Sequence, residues 1–281
     1  MTVKELPATG ALTGRLMYPL AAGLVVLYVN TFELWGVLVR TLGADKAALV
    51  PVVTLACLLA GGGWRLRQRT RALPLRPALR PILILLALAL AVLGLMLTDP
   101  AYPAKRIHVP QYLLLALVLR RALSDHAGGL ALTIATIVTT LLFGIHDEML
   151  QGLHPDRSYG LRDMLVNGTA GASGAILAAG AGIMPGRSGP FRMAAAVSAA
   201  LMLLAAAVAV LVVALTRHVD VPPPIWLGLP AAAGGLAVLA ARRFDHSGSG
   251  AAAHIAGALA WVTLPFALYP VIPHVTPLVF H

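Results

Sequence analysis

The chain has 281 residues, of which 59% are hydrophobic and 11% charged, and its mean hydropathy is +0.84. Soluble domains carry about 25% charged residues, so these figures exclude a soluble globular enzyme, and they exclude a disordered chain, which would be polar. The net charge of +10 sits in short basic clusters between long apolar runs, which is membrane topology rather than a nucleic-acid surface.

A hydrocarbon core about 30 Å thick takes about 20 helical residues. Apolar runs of that order lie near 16–39, 46–64, 81–98, 106–123, 128–147, 163–184, 193–216, 224–241 and 252–272. The expected fold is therefore all-α, a polytopic transmembrane helical bundle of about nine spans. Lys4, Glu5 and Arg15 precede the first run and no small-x-small site follows it, so it reads as an uncleaved span. Asn30 and Glu33 share a face near its far end and read as interfacial. Cys57 lies in the second run. As the sole cysteine it excludes an intramolecular disulfide, and it reads as a small buried apolar residue. The arginine-rich stretch 65–80 reads as a topology-fixing loop.

The chain divides on this pattern into two N-terminal spans with their basic loop (1–80), a core (81–184) and three C-terminal spans (185–281). The fourth span is marginal. Only Ile107 to Leu119 is free of charge, so it crosses only if Arg106, Arg120 and Arg121 snorkel. Tyr18, Trp35, Trp64, Tyr102, Trp226 and Trp261 read as interface anchors, and His254 as a satisfied core residue. With the N-terminus inside and sides alternating, fourteen Lys and Arg fall on the inner side against seven outside. That bias predicts a cytoplasmic N-terminus.

Polar residues converge in 105–174, which reads KRIHVPQYLLLALVLRRAL and then GIHDEMLQGLHPDRSYGLRDMLVNGTAGASG. Ionisable groups at membrane depth are costly and need a partner or a task. His108, Gln111 and Tyr112 share one helical face, as do Glu148 with Gln151 and Asp163 with Asn167. All three groups fall at the outer interface. Gly171, Gly174 and Ala178 continue the Asp163–Asn167 stripe with small residues, which lets helices approach closely.

The run DEMLQGLHPDRSYGLRDMLVNGTAGASG resembles the VanZ-like family, associated with glycopeptide resistance. The matching positions are Asp147, Glu148, Gln151, Pro155, Arg157, Asp163, Asn167, Gly171 and Gly174, and upstream His108 and Tyr112 are similar to the family's other motif. The resemblance covers about residues 81–184. It departs at Lys105–Arg106, where the family often has an acid beside the lysine. The resemblance implies a multi-pass protein of the bacterial cytoplasmic membrane, linked in some members to teicoplanin resistance, without a settled biochemical activity.

Three roles stay open for Asp147 and Glu148: proton transfer, contact with a polar substrate, or a structural ion pair. His108 either orients by a hydrogen bond or exchanges a proton, and His146 and His154 read as interfacial. His and carboxylate are metal-ligand types, but no HExxH spacing is present and adjacent residues on a helix diverge, so no metal or cofactor is expected. Arg106 and Arg157 suit a phosphate or carboxylate, or a structural pair with Asp163 or Glu148. The site expected is an outward-facing pocket in which Glu148 and His108 do acid–base work. Arg106, Tyr112, Asp147, Gln151, Arg157, Asp163 and Asn167 bind the ligand. The expected partners are membrane lipids and a lipid-linked cell-wall precursor, with no nucleic acid. A small-solute or proton-coupled transporter, and a structural or regulatory membrane protein, are the alternatives.

Overall fold

In a computed structural model, residues 9–69, 79–155, 157, 159–187, 189–244 and 248–281 are described. Lys4, Glu5, Asp156, Asp245 and residues 70–78 of the basic loop lie outside them. The described residues form helices and no strand: α1 (Thr9–Val29), α2 (Thr31–Leu42), α3 (Ala44–Arg69), α4 (Leu79–Leu97), α5 (His108–Ser124), α6 (Gly129–Gly152), α7 (Leu161–Gly180), α8 (Ala195–Leu215), α9 (Leu229–Phe244), α10 (Gly250–Thr263) and a single turn, α11 (Ile272–Val275). The chain is an all-α, multi-pass membrane protein by its helices. Six of the described segments are long and apolar enough to cross a bilayer, or seven with α1 and α2 taken as one bent span. Leu85, Met96, Met202 and Leu203 are among many large side chains exposed on their outer faces, as a lipid-facing surface requires.

The expected spans at 106–123 and 163–184 fold as α5 and α7 but are not among those six. α5 has only 17 residues, and α7 carries Arg162, Asp163 and Asn167 among small residues. Both are interior helices. α7 packs against α4, α5 and α6, so protein rather than lipid selects most of its surface. The small-residue stripe makes this possible. A Cβ on Gly174 would lie 2.6 Å from the Leu113 carbonyl oxygen and 3.0 Å from the Ala116 Cβ, and Gly171 meets Thr140 equally closely. Ser173 then reaches α4, donating to the Ala87 carbonyl at 2.8 Å.

The first span is not one straight helix. α1 and α2 meet at Asn30 with a bend of 56°. No proline stands at the break. Instead Asn30 donates back to the Val26 carbonyl (2.7 Å) and Thr31 to the Leu27 carbonyl (3.2 Å), and such back-bonding bends helices.

Two expectations about single residues, those for Cys57 and Arg120, are corrected. Cys57 is exposed on the outside of α3, not buried. Tyr18 is half-buried and bonded to His254 (3.2 Å), so His254 has a partner on α1. Arg120 does not snorkel: it is 2% exposed. Its guanidinium donates to the Ile183 and Met184 carbonyls (2.9 and 3.2 Å) and to Thr133 (3.3 Å), pinning the loop after α7. The loop holds Met184 at a φ of 49°, a region most side chains avoid, and the buried bonds offset that. The C-terminal helices do not stand apart from the core. One apolar cluster joins Met149 and Met164 to Leu204, Leu211, Ala260 and Phe280.

Gly174→Ala therefore lowers the thermal midpoint of the detergent-solubilised protein, with an overpacking cost of about 1–3 kcal/mol. Gly63→Ala on α3, which meets nothing within 4 Å, leaves it unchanged or raises it. Equal effects of the two substitutions would contradict the close α5–α7 approach.

Candidate functional site

The polar cluster forms where the start of α5, the end of α6, the start of α7 and the break between α1 and α2 meet. Each helix contributes residues spaced to fall on one face. From α5, Tyr112 donates to Asp147 of α6 at 2.8 Å, and the His108 Nδ1 lies 3.8 Å from the same carboxylate. From α7, Asn167 donates to Glu148 at 3.3 Å, an interhelical bond of the kind a buried amide needs. Asp163, in the first turn of α7, favours the helix dipole there. It pairs with Lys105 of the short 3-10 turn Pro103–Ile107.

The α1–α2 break closes the cluster from above. Breaking the helix frees the Val29 carbonyl, and Arg157 donates to it at 3.3 Å. Arg157 also donates to the Gln151 side-chain oxygen, and its guanidinium stacks on the Phe32 ring, 3.8 Å from the centroid. Gln111 donates to Thr31 at 2.7 Å, and Tyr28 to the Gln111 carbonyl at 2.9 Å. The first turn of α2 is thus tied to α5 and to the α6–α7 loop.

Of the nine expected site residues, eight meet here: His108, Tyr112, Asp147, Glu148, Gln151, Arg157, Asp163 and Asn167. Arg106 does not. It lines a separate shallow hollow with Val52, Val92 and Met96, because the 3-10 turn rotates it away from its neighbour. Lys105 takes the place expected for it. Asn30 and Glu33 are exposed and stay outside the cluster. The expected pair of Arg157 with Asp163 or Glu148 is not formed. Arg157 takes a neutral amide, a carbonyl and a ring instead, and Asp163 takes Lys105. Phe32, Thr31 and Lys105 were missed in the sequence. The only signal for the first two was their place one and two residues after Asn30. His146, read as interfacial, is half-buried and engaged elsewhere, bonded to the Val262 carbonyl (2.7 Å) and the Tyr269 hydroxyl (2.9 Å) and stacked on Phe266.

The expected open pocket is a closed cluster. Tyr112, Asp147, Glu148 and Asn167 have no exposed surface, and His108, Gln151 and Asp163 have almost none. Its two cations, Lys105 and Arg157, are half-exposed, as are Phe32 and Gln111. Burial draws the Arg157 guanidinium below its usual range, and the charges of Asp147, Glu148 and Asp163 act against that shift. An arginine nonetheless keeps its charge in proteins.

Six buried atoms in the cluster have no hydrogen-bond partner among the described residues: His108 Nδ1, Gln111 Oε1, Asp147 Oδ1, Glu148 Oε2, Gln151 Nε2 and Asn167 Oδ1. Native interiors leave few such groups, each costing about 1–3 kcal/mol, and here six share one site. Among the described residues no three His, Cys, Asp or Glu side chains converge as a metal site.

The loops around the cluster are held from two sides. Arg162 donates to the Leu97 and Thr98 carbonyls (2.5 and 3.1 Å), closing the end of α4. The Tyr159 amide donates to the His281 carbonyl, and the His281 amide to the Gly152 carbonyl, both at 2.8 Å. Tyr159 also donates its hydroxyl to the Val212 carbonyl at 2.8 Å, and burial holds that phenol above its usual range.

Compared with protein-family models, curated proteins and solved structures, the chain matches none.

Tyr112→Phe leaves an Asp147 oxygen buried without its donor. It lowers stability by about 1–3 kcal/mol, read as a fall in the thermal midpoint. Tyr102→Phe, at an exposed ring, has no effect. A Tyr112→Phe variant as stable as the parent would remove the Tyr112–Asp147 bond from the account.

Proposed function

We propose that the protein is a VanZ-like protein of the bacterial cytoplasmic membrane. In this reading it has nine spans and a cytoplasmic N-terminus, and its polar cluster faces the outer side. There it recognises an anionic envelope component, a phosphate-bearing lipid headgroup or a lipid-linked cell-wall precursor, and so contributes to glycopeptide tolerance. The motifs at His108–Tyr112 and Asp147–Gly174 and the inside bias of the basic residues support the first part.

One observation carries the second part. Two half-exposed cations, Lys105 and Arg157, belong to a cluster in which six buried polar atoms make no hydrogen bond within 3.5 Å among the described residues. A guanidinium offers phosphate two parallel donors, and Arg157 holds no carboxylate that an incoming anion would have to displace. Arg157 then exchanges the Gln151 oxygen for a phosphate oxygen, and Lys105 shares its charge between Asp163 and the ligand. Glu148 and His108, beneath them, orient the ligand or exchange a proton with it, while Asp163 and Asn167 hold the end of α7 in place. A transporter reading needs polar groups around a path through the bilayer. Glu33 is exposed at α2, Asn167 lies in the cluster, and His254 bonds Tyr18 and stacks on His126 elsewhere. Of the three, His254 alone lines a groove beside Tyr18 that Glu33 and Asn167 do not reach.

Glu148→Gln and Arg157→Ala are expected to accumulate to parental levels in a glycopeptide-sensitive host and to abolish the protein's contribution to teicoplanin tolerance. Inhibitory concentration and immunoblot are read in parallel. Tolerance that merely tracks the amount of protein in each variant would establish a structural role and end the ligand reading.

A further inference from the structure

A groove of about 650 Å³ lies on the other side of α6 from the cluster, between α1, α6, α10 and the turn that follows α10. Its walls are apolar, with Val25, Phe143, Leu150, Trp261 and Pro265 among them. Trp261 is 65% exposed, so the groove opens sideways into the space a bilayer fills. From His254 to Pro265 it runs about 16 Å at about 1.5 Å per residue, close to half of a hydrocarbon core of about 30 Å. It is therefore one leaflet long.

The two ends differ. At the Pro265 end, His146 is already taken by the Val262 carbonyl, the Tyr269 hydroxyl and the Phe266 ring, and offers nothing to a ligand. At the other end lie Tyr18 and His254, bonded to each other, and the Arg242 guanidinium. Arg242 reaches this position across Gly257 of α10, where any side chain would occupy the place of its guanidinium. No carboxylate among the described residues pairs with Arg242. Asp125, the acid beside Tyr18, is bound by Arg121 through Oδ1 at 2.9 Å, its Oδ2 has no hydrogen-bond partner among the described residues, and Asp245, three residues after Arg242, lies outside them. A half-buried guanidinium with no counter-charge among the described residues suits an anion, and the walls beyond it suit a hydrocarbon chain.

We propose that this groove binds one acyl chain of an anionic phospholipid, with its phosphate held by Arg242 beside His254 and Tyr18. The occupant is a lipid rather than free phosphate because the apolar walls extend a full leaflet beyond the cation. The groove shares the C-terminal half of α6 with the polar cluster but takes its other face, lined by Phe143, His146 and Leu150, and its cation lies at the end far from His146.

The test is native mass spectrometry of the purified full chain titrated with phosphatidylglycerol or phosphatidylcholine of the same acyl chains. Retention of phosphatidylglycerol is expected to exceed that of phosphatidylcholine by about tenfold, the ratio that one well-placed charge contact supplies. Arg242→Gln abolishes the preference and Arg242→Lys keeps most of it. Ala258→Phe, which fills the groove wall, lowers retention of both lipids. The losses caused by Arg242→Gln and Ala258→Phe are expected to be the same whether they are made in the parent or in Arg157→Ala, so binding at the groove and binding at the cluster are read separately. Equal retention of the two lipids by the parent protein overturns the proposal. So does a preference that survives Arg242→Gln in a variant with parental thermal midpoint, or Ala258→Phe without effect.

Discussion

Two carboxylates at adjacent positions, Asp147 and Glu148, are buried completely near the end of a helix otherwise apolar enough to span a bilayer. That burial is the constraint on which the rest of the core depends. Taking a carboxylate out of water costs several kcal/mol even after relaxation, so each must be met by polar groups brought from elsewhere in the chain. Adjacent residues on a helix point about 100° apart. The two therefore need partners on different helices, and Asp147 finds α5 while Glu148 finds α7. Neither meeting is possible unless α5, α6 and α7 come nearly backbone to backbone, which explains glycine at positions 171 and 174 of α7 rather than larger apolar residues.

The same constraint accounts for the bend in the first span. A straight helix would carry its hydrogen-bonding groups past the cluster, fully paired with one another. The break at Asn30 turns the chain and frees one carbonyl, at Val29, which Arg157 then uses. It also brings Phe32 under the guanidinium. Arg157 is held by a carbonyl, an amide oxygen and an aromatic face, all neutral, so its charge remains uncancelled at the edge of a site rich in acids. The cluster is closed, and the groups closing it are the ones with the fewest ionic ties.

What could be read from the sequence follows from the range of the interactions involved. The polar convergence was legible because helical spacing alone puts His108 with Tyr112, Glu148 with Gln151, and Asp163 with Asn167 on common faces. The motifs then place those faces at the ends of consecutive helices. The choice of Lys105 over Arg106 was not legible, since it turns on a 3-10 turn whose rotation differs from an α-helix by a fraction of a residue. The Asn30 break was hidden for a related reason. Asn and Thr back-bond to a helix without necessarily breaking it, and only the docking of Thr31 on Gln111 makes the broken form the better one. Nor does composition distinguish α5 and α7, which protein surrounds, from helices that lipid surrounds. A polar residue such as Asn167 is a fault against lipid and a bond against Glu148.

Three arginines make the general point. In the sequence Arg120 and Arg242 stand at the edges of apolar runs and Arg157 in a polar loop between two of them, and of the three only Arg120 is expected to snorkel. The fold gives them different partner sets. Arg120 is buried and ties its Nε to two backbone carbonyls of a loop it pins and its Nη1 to Thr133, which makes it a scaffold residue. Arg157 has replaceable partners, a side-chain amide and a ring, and so is bound without being committed. Arg242 has the Gly257 surface to lie on and no counter-charge among the described residues. The cost of an unpaired cation at membrane depth grows with burial, and half-buried Arg242 beside an apolar groove is placed to share that space with an anion. The degree to which each guanidinium is already satisfied thus orders the three from scaffold to site.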